Sequence, residues 1–132
     1  MSGWHHNLGL AILRVLMGLG IAWHGFGKIF TEGRMEGFTE GVSEMGFPMP
    51  VIFAWAAALS EFLGGILMAA GLLTRWAALF VFATMGVAAF IHHADDPFDV
   101  TEKALLYWAA SLSIIFLGAG RFSLDYLLRK KE

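Results

Sequence analysis

The chain has 132 residues, a length suited to one domain, and 58% of them are hydrophobic while only 15% are charged. That balance excludes a water-soluble domain of this size. A net charge of -2 without a basic stripe argues against a nucleic-acid partner, and the lack of cysteine excludes disulfides, thiolate metal sites and iron–sulfur clusters.

Four apolar runs read as helices that cross a membrane, because about 20 residues of helix span the hydrocarbon core and a lone strand would leave its backbone unpaired in lipid. The first covers about 8–30. Met1 to Asn7 carries neither the positive stretch nor the cleavage site of a secretory leader, so this run is expected to remain as a span. Next, Met35, Phe38, Val42 and Met45 recur at helical spacing opposite Glu36, Glu40 and Glu44, which predicts a short amphipathic helix at the interface. The second span covers about 51–73, with Gly71 as its stop and Thr74 and Arg75 in a tight turn. The third and fourth, about 76–93 and 104–118, are short and must recruit flanking residues or sit in a thinned bilayer. The expected fold is thus an all-α membrane protein, a four-transmembrane-helix bundle surrounded by lipid, in one domain over 1–132.

An even number of spans puts both termini on one face. That face carries Arg75, Arg121, Arg129, Lys130 and Lys131 against Lys28, Arg34 and Lys103 on the other, so both termini are expected in the cytoplasm. The outer loops are acidic, which would gather cations at the outer mouth.

Ionisable side chains inside spans are costly and normally turn inward to find partners. Arg14 and His24 lie in the first span, Glu61 lies near the middle of the second, and His92 and His93 close the third. At about 1.5 Å of rise per residue, Arg14 and Glu61 differ in depth by about 8 Å, which an arginine can reach across, and His24, about 15 Å above Arg14, sits slightly to the outer side of Glu61. Glu61 is therefore the expected centre of the cluster. Two readings compete: an Arg14–Glu61 pair that sets helix register, or a polar pocket in which a carboxylate and imidazoles handle protons. No helical His/Glu ligand spacing is present, and adjacent histidines diverge by about 100° on a helix, so only one of His92 and His93 is expected to face inward and no metal site is assigned. Trp23, Trp55, Tyr107 and Trp108 would either anchor the bundle at the interface or wall an apolar slot for a flat ring. Gly18, Ala22, Gly64, Gly65 and Ala69 make small-residue faces for close helix contact, and Lys28 either snorkels outward or leans toward an acidic loop residue.

Leu13-Arg14, Trp23-His24-Gly25 with Lys28, the Gly46, Pro48, Pro50 series, Glu61 with Gly64 and Gly65, Gly71 to Arg75, and Gly118 to Asp125 together resemble the DoxX family over almost the whole chain. The resemblance implies a four-helix inner-membrane protein of bacteria and an oxidoreductase label, after members that form part of a thiosulfate:quinone oxidoreductase. It also implies a polar set of Arg14, His24, Glu61 and one of His92 and His93. Some related eukaryotic proteins look like chaperones for membrane proteins. The expected function is a quinone-interacting subunit: Glu61 and His24 exchange protons with the ring, while Arg14, His92, His93 and Trp23 hold it. With no flavin, haem or iron–sulfur motif, electrons would come from a soluble or membrane redox partner. An accessory protein without turnover and a small-solute or proton conduit are the alternatives, and association of the chain with itself is left open.

Overall fold

The computed structural model describes residues 2–130, so Lys131 of the charge count lies outside them. It places α1 at Ser2–Phe30, α2 at Arg34–Glu44, α3 at Pro50–Ala70, α4 at Thr74–Val87, α5 at Phe98–Leu117 and α6 at Leu124–Lys130. A π-helical turn, Ala88–His92, extends α4. There are no strands among the described residues, and α1, α3, α4 with its extension, and α5 are each long and apolar enough to cross a bilayer. The chain is a four-helix membrane bundle.

Both short spans gain length from their flanks. The fourth starts at Phe98 instead of about 104, because Pro97 pre-sets the first turn and Asp99 suits a helix N-terminus. Lys103 therefore belongs to a helix and not to a loop. The third begins at Thr74 and reaches His92 through the π turn, where the His93 N–H donates to the Ala88 carbonyl at 3.0 Å.

Small residues bring α1 and α3 together. A Cβ at Gly18 would meet the Gly65 carbonyl at 2.6 Å, one at Gly65 would meet the Ala22 nitrogen at 2.5 Å, and one at Gly25 would meet the Phe62 nitrogen at 2.4 Å. Backbone contact of this closeness supplies the van der Waals attraction that holds helices together where lipid removes the hydrophobic drive. The remaining core is Ile21, Met68, Ala77, Ala78, Val81, Met85 and Ile114, with Leu67, Tyr107, Trp108 and Ile115 packed on it.

At the terminal end two polar clamps tie the C-terminal segment to the bundle. Arg14, 2% exposed, donates from Nε to the Met68 carbonyl at 2.8 Å, from Nη1 to Ala119 at 2.6 Å, and from Nη2 to Phe122 at 2.8 Å and Ala69 at 3.4 Å. The C-terminal end of α3, with its partial negative charge, is a natural seat for that cation. Gly71 makes room for it: at φ 74° it ends α3, and a Cβ there would lie 2.4 Å from Ser123 Cβ and 3.1 Å from Arg14 Cζ. The second clamp is Asp125. Its Oδ1 accepts from the Leu73 N–H at 2.8 Å, and its Oδ2 accepts from the Thr74 N–H at 2.9 Å and the Thr74 hydroxyl at 2.8 Å, so α6 caps α4.

Burial alone would raise the Asp125 carboxyl, but the hydrogen bonds from Thr74 and Leu73 and the charge of Arg129 outweigh it and hold the group below its ordinary value of 3.8. A depressed folded value means that this contribution to stability is complete above the ordinary value and is lost as pH falls through the folded one. Asp125→Asn is expected to cost about 1 kcal/mol at neutral pH, with the gap to the unaltered protein shrinking at an acid pH below the ordinary carboxylate value, as the folded carboxyl takes up its proton. Thermal unfolding in detergent at both pH values checks it; a constant gap would remove the charge from this account.

Candidate functional site

The opposite end of the bundle is hollow. A cavity of about 470 Å³ lies beneath α2, between α1, α3, the α4 extension and α5. Its roof follows from the amphipathic pattern: Phe38, Val42 and Met45 point into it, and Val42 is 4% exposed. The predicted interfacial helix thus presents its apolar stripe to the bundle interior. Gly33 and Gly46, both at positive φ, make the turns on either side of it.

Glu61 sits at the buried end, 2% exposed, and its Oε2 accepts from Lys28 Nζ at 2.5 Å. Lys28 also lies 4.5 Å from the Phe38 ring centroid, a cation–π contact. The contacts of Gly18 with Gly65 and of Gly25 with Phe62 put His24 level with Glu61 and Lys28 about one turn beyond it. The flexible lysine arm spans that turn inward, whereas His24 turns its ring edge toward Tyr107, 6.0 Å between centroids, and forms no hydrogen bond with Glu61 among the described residues.

The expected Arg14–Glu61 pair does not form. Met68, whose carbonyl Arg14 holds, is two helical turns from Glu61, and the exposed carbonyls at the end of α3 are the nearer acceptors. Arg14 therefore lies outside the cavity. Trp23 does too: it is 72% exposed and stacks on Phe26 on the lipid-facing side of α1. Of the four aromatics weighed for the slot, only Tyr107 lines it.

His92 and His93 both line the cavity, against the expectation of one. The wider winding of the π turn reduces the angle between successive side chains below that of an α-helix. Their rings lie 4.5 Å apart, and His93 Nδ1 is 2.7 Å from Asp96 Oδ2. No three His, Asp or Glu side chains among the described residues are grouped to hold a metal ion.

Lys28, Arg34 and Lys103 are site residues that the sequence did not single out as such. A signal existed for one of them. Lys28 follows His24 by four residues, so a helix that turns one toward the interior turns the other nearby. Arg34 and Lys103 became visible only when α2 folded back over the cavity and α5 gained its extra turns.

A membrane bundle with a partly buried ion pair beneath a helical roof defines the class: a multi-pass helical protein with a polar pocket in one half of its thickness. The DoxX family profile matches residues 9–94, and the chain belongs to that family. It is 30% identical to Inner membrane protein YqjF of Escherichia coli (strain K12), with 95% of each chain covered. It is 31% identical to Inner membrane protein YphA of the same strain, covering 88% of this chain and 87% of that one. An uncharacterized protein of Haemophilus influenzae is 32% identical, with 98% of this chain and 89% of the relative covered. No solved structure matches the chain.

Proposed function

We propose that this DoxX-family chain is an inner-membrane, quinone-interacting subunit that binds a lipid-soluble ring in the cavity under α2. Both termini lie in the cytoplasm and the cavity lies in the outer half of the bilayer. The observation that carries this reading is the combination of a buried Glu61 carboxylate, paired with a half-buried Lys28, and walls that reach the lipid. Phe53 and Ala56 on α3 and Phe80 and Ala83 on α4 line the cavity and are exposed, so the cavity is open along these two helices. A ring can enter between these two helices without crossing water.

Reduction of a quinone to a quinol takes up two electrons and two protons. Glu61 and His24, level with each other, face the positions of ring oxygens and pass the protons, while Lys28 holds the carboxylate in place. Electrons come from a soluble or membrane redox partner. Arg14 has no part in this chemistry; its role is to hold the terminal end together.

Glu61→Gln tests the proposal. The amide keeps the shape of the carboxylate, and Lys28, 21% exposed, can turn to the headgroups. In nanodiscs, the variant is expected to keep its thermal stability and to bind a short-chain quinone about tenfold more weakly or worse. Loss of the folded bundle would assign Glu61 to packing. Loss of a co-purifying partner with quinone binding unchanged would assign the chain to assembly.

A further inference from the structure

Three cations line the cavity, Lys28, Arg34 and Lys103, against one carboxylate, Glu61. Lys28 answers Glu61, which leaves Arg34 and Lys103 in excess. They come from separate elements, the first turn of α2 and the second turn of α5, and both are exposed at the mouth. Among the described residues no carboxylate lies within 4.0 Å of either. Arg34 does not reach away from the protein: its guanidinium lies back over α1, where a Cβ at Gly27 would be 3.6 Å from Nη1. His24, His92 and His93 bring only neutral or positive charge. None of the acids of the outer segments lines the cavity: not Glu32, Glu36, Glu40 or Glu44 around α2, not Asp95 or Asp96 before α5, and not Asp99 or Glu102 in its first turns; Asp96 touches the cavity wall through His93. The acidic exterior expected from the sequence thus surrounds a cationic interior.

Two uncompensated cations over an apolar slot have no counterpart in a neutral quinone, whose ring oxygens need only one donor each. A ring that carries an ionised hydroxyl answers both. We infer that, given the ring-binding reading above, the cavity selects an acidic ring ligand of the hydroxyquinone class, its enolate oxygen held between Arg34 and Lys103 and its apolar tail directed between α3 and α4. A guanidinium and an ammonium at a partly desolvated mouth attract such an oxygen far more strongly than they would in bulk water.

The test compares a 2-hydroxy-3-alkyl-1,4-naphthoquinone with its O-methyl ether, which has nearly the same shape and no charge. The full chain is placed in nanodiscs of zwitterionic phosphatidylcholine, so that no anionic lipid competes, at a pH where the free hydroxyquinone is ionised. The enolate is expected to bind on the order of tenfold more tightly than the ether, and the R34Q/K103Q double variant should bring it down to the level of the ether while binding of the ether stays constant. Equal or tighter binding of the ether overturns the selectivity and leaves the ring-binding reading standing. Loss of both ligands in the variant also overturns it, since the cations would then shape the cavity and not select its occupant. If neither ligand binds the unaltered protein, both readings fall.

Discussion

Arg14→Met is expected to remove about 3–5 kcal/mol of stability, because it strips several charge-assisted hydrogen bonds worth about 1.5–3 kcal/mol each before relaxation. The guanidinium joins three parts of the chain: the last turn of α3 at Met68 and Ala69, the loop at Ala119, and the start of the α6 segment at Phe122. Methionine fills the space but leaves those carbonyls to face a dry interior, each at a cost of about 1–3 kcal/mol before relaxation. Water entering from the terminal face offsets part of this. Arg14→Lys should recover less than half, because an ammonium is a point donor and cannot present a planar fork to acceptors on separate segments. Thermal unfolding in detergent and the fraction that stays monodisperse after heating read both variants. An Arg14→Met protein as stable as the parent would mean that the Arg14 clamp contributes nothing to the bundle.

Lys28→Met is expected to have the second largest effect. It leaves the Glu61 carboxylate, 2% exposed, without its cation, again at about 3–5 kcal/mol. Adding Glu61→Gln removes the stranded charge, so the double variant should regain most of the lost stability, with a favourable coupling of about 2–3 kcal/mol between the two positions. Stability and ligand affinity separate here. The double variant should melt near the parent and still fail to bind a quinone, since neither the charge-assisted donor nor the titrating acid remains. If the double variant binds as the parent does, the ion pair serves helix packing and the chemistry lies elsewhere in the cavity. If the two substitutions are simply additive, Lys28 and Glu61 are not the coupled pair that their 2.5 Å contact implies.

From the sequence Glu61 looked partnered by Arg14 and His24, whereas it pairs with Lys28. Depth along a span can be read only approximately from helix rise: it put His24 slightly outside Glu61, whereas the packing of α1 on α3 brings the two level. Nor does helix rise say which acceptors lie beside a donor. Arg14 found carbonyls that exist only because α3 stops at Gly71 and the segment after α5 returns beneath it. In Lys28 the direction of the side chain was ambiguous, since a lysine one turn from a helix end can reach outward to headgroups or inward to an acid. Packing of α2 over the end of α1 decided it.

Hydrophobic run length, small-residue faces, the stop at Gly71 and the period of α2 are local or one-dimensional properties, and for these the 132 residues alone were sufficient. They determine a helical membrane bundle because lipid permits no other way to satisfy the backbone. The cavity depended on tertiary structure: on α2 folding its apolar stripe inward, on the π turn bringing His92 and His93 to one wall, and on the early start of α5 that delivers Lys103. Each brings together groups far apart in the chain, and such juxtapositions depend on how helices pack against one another, which the period of a single helix does not encode.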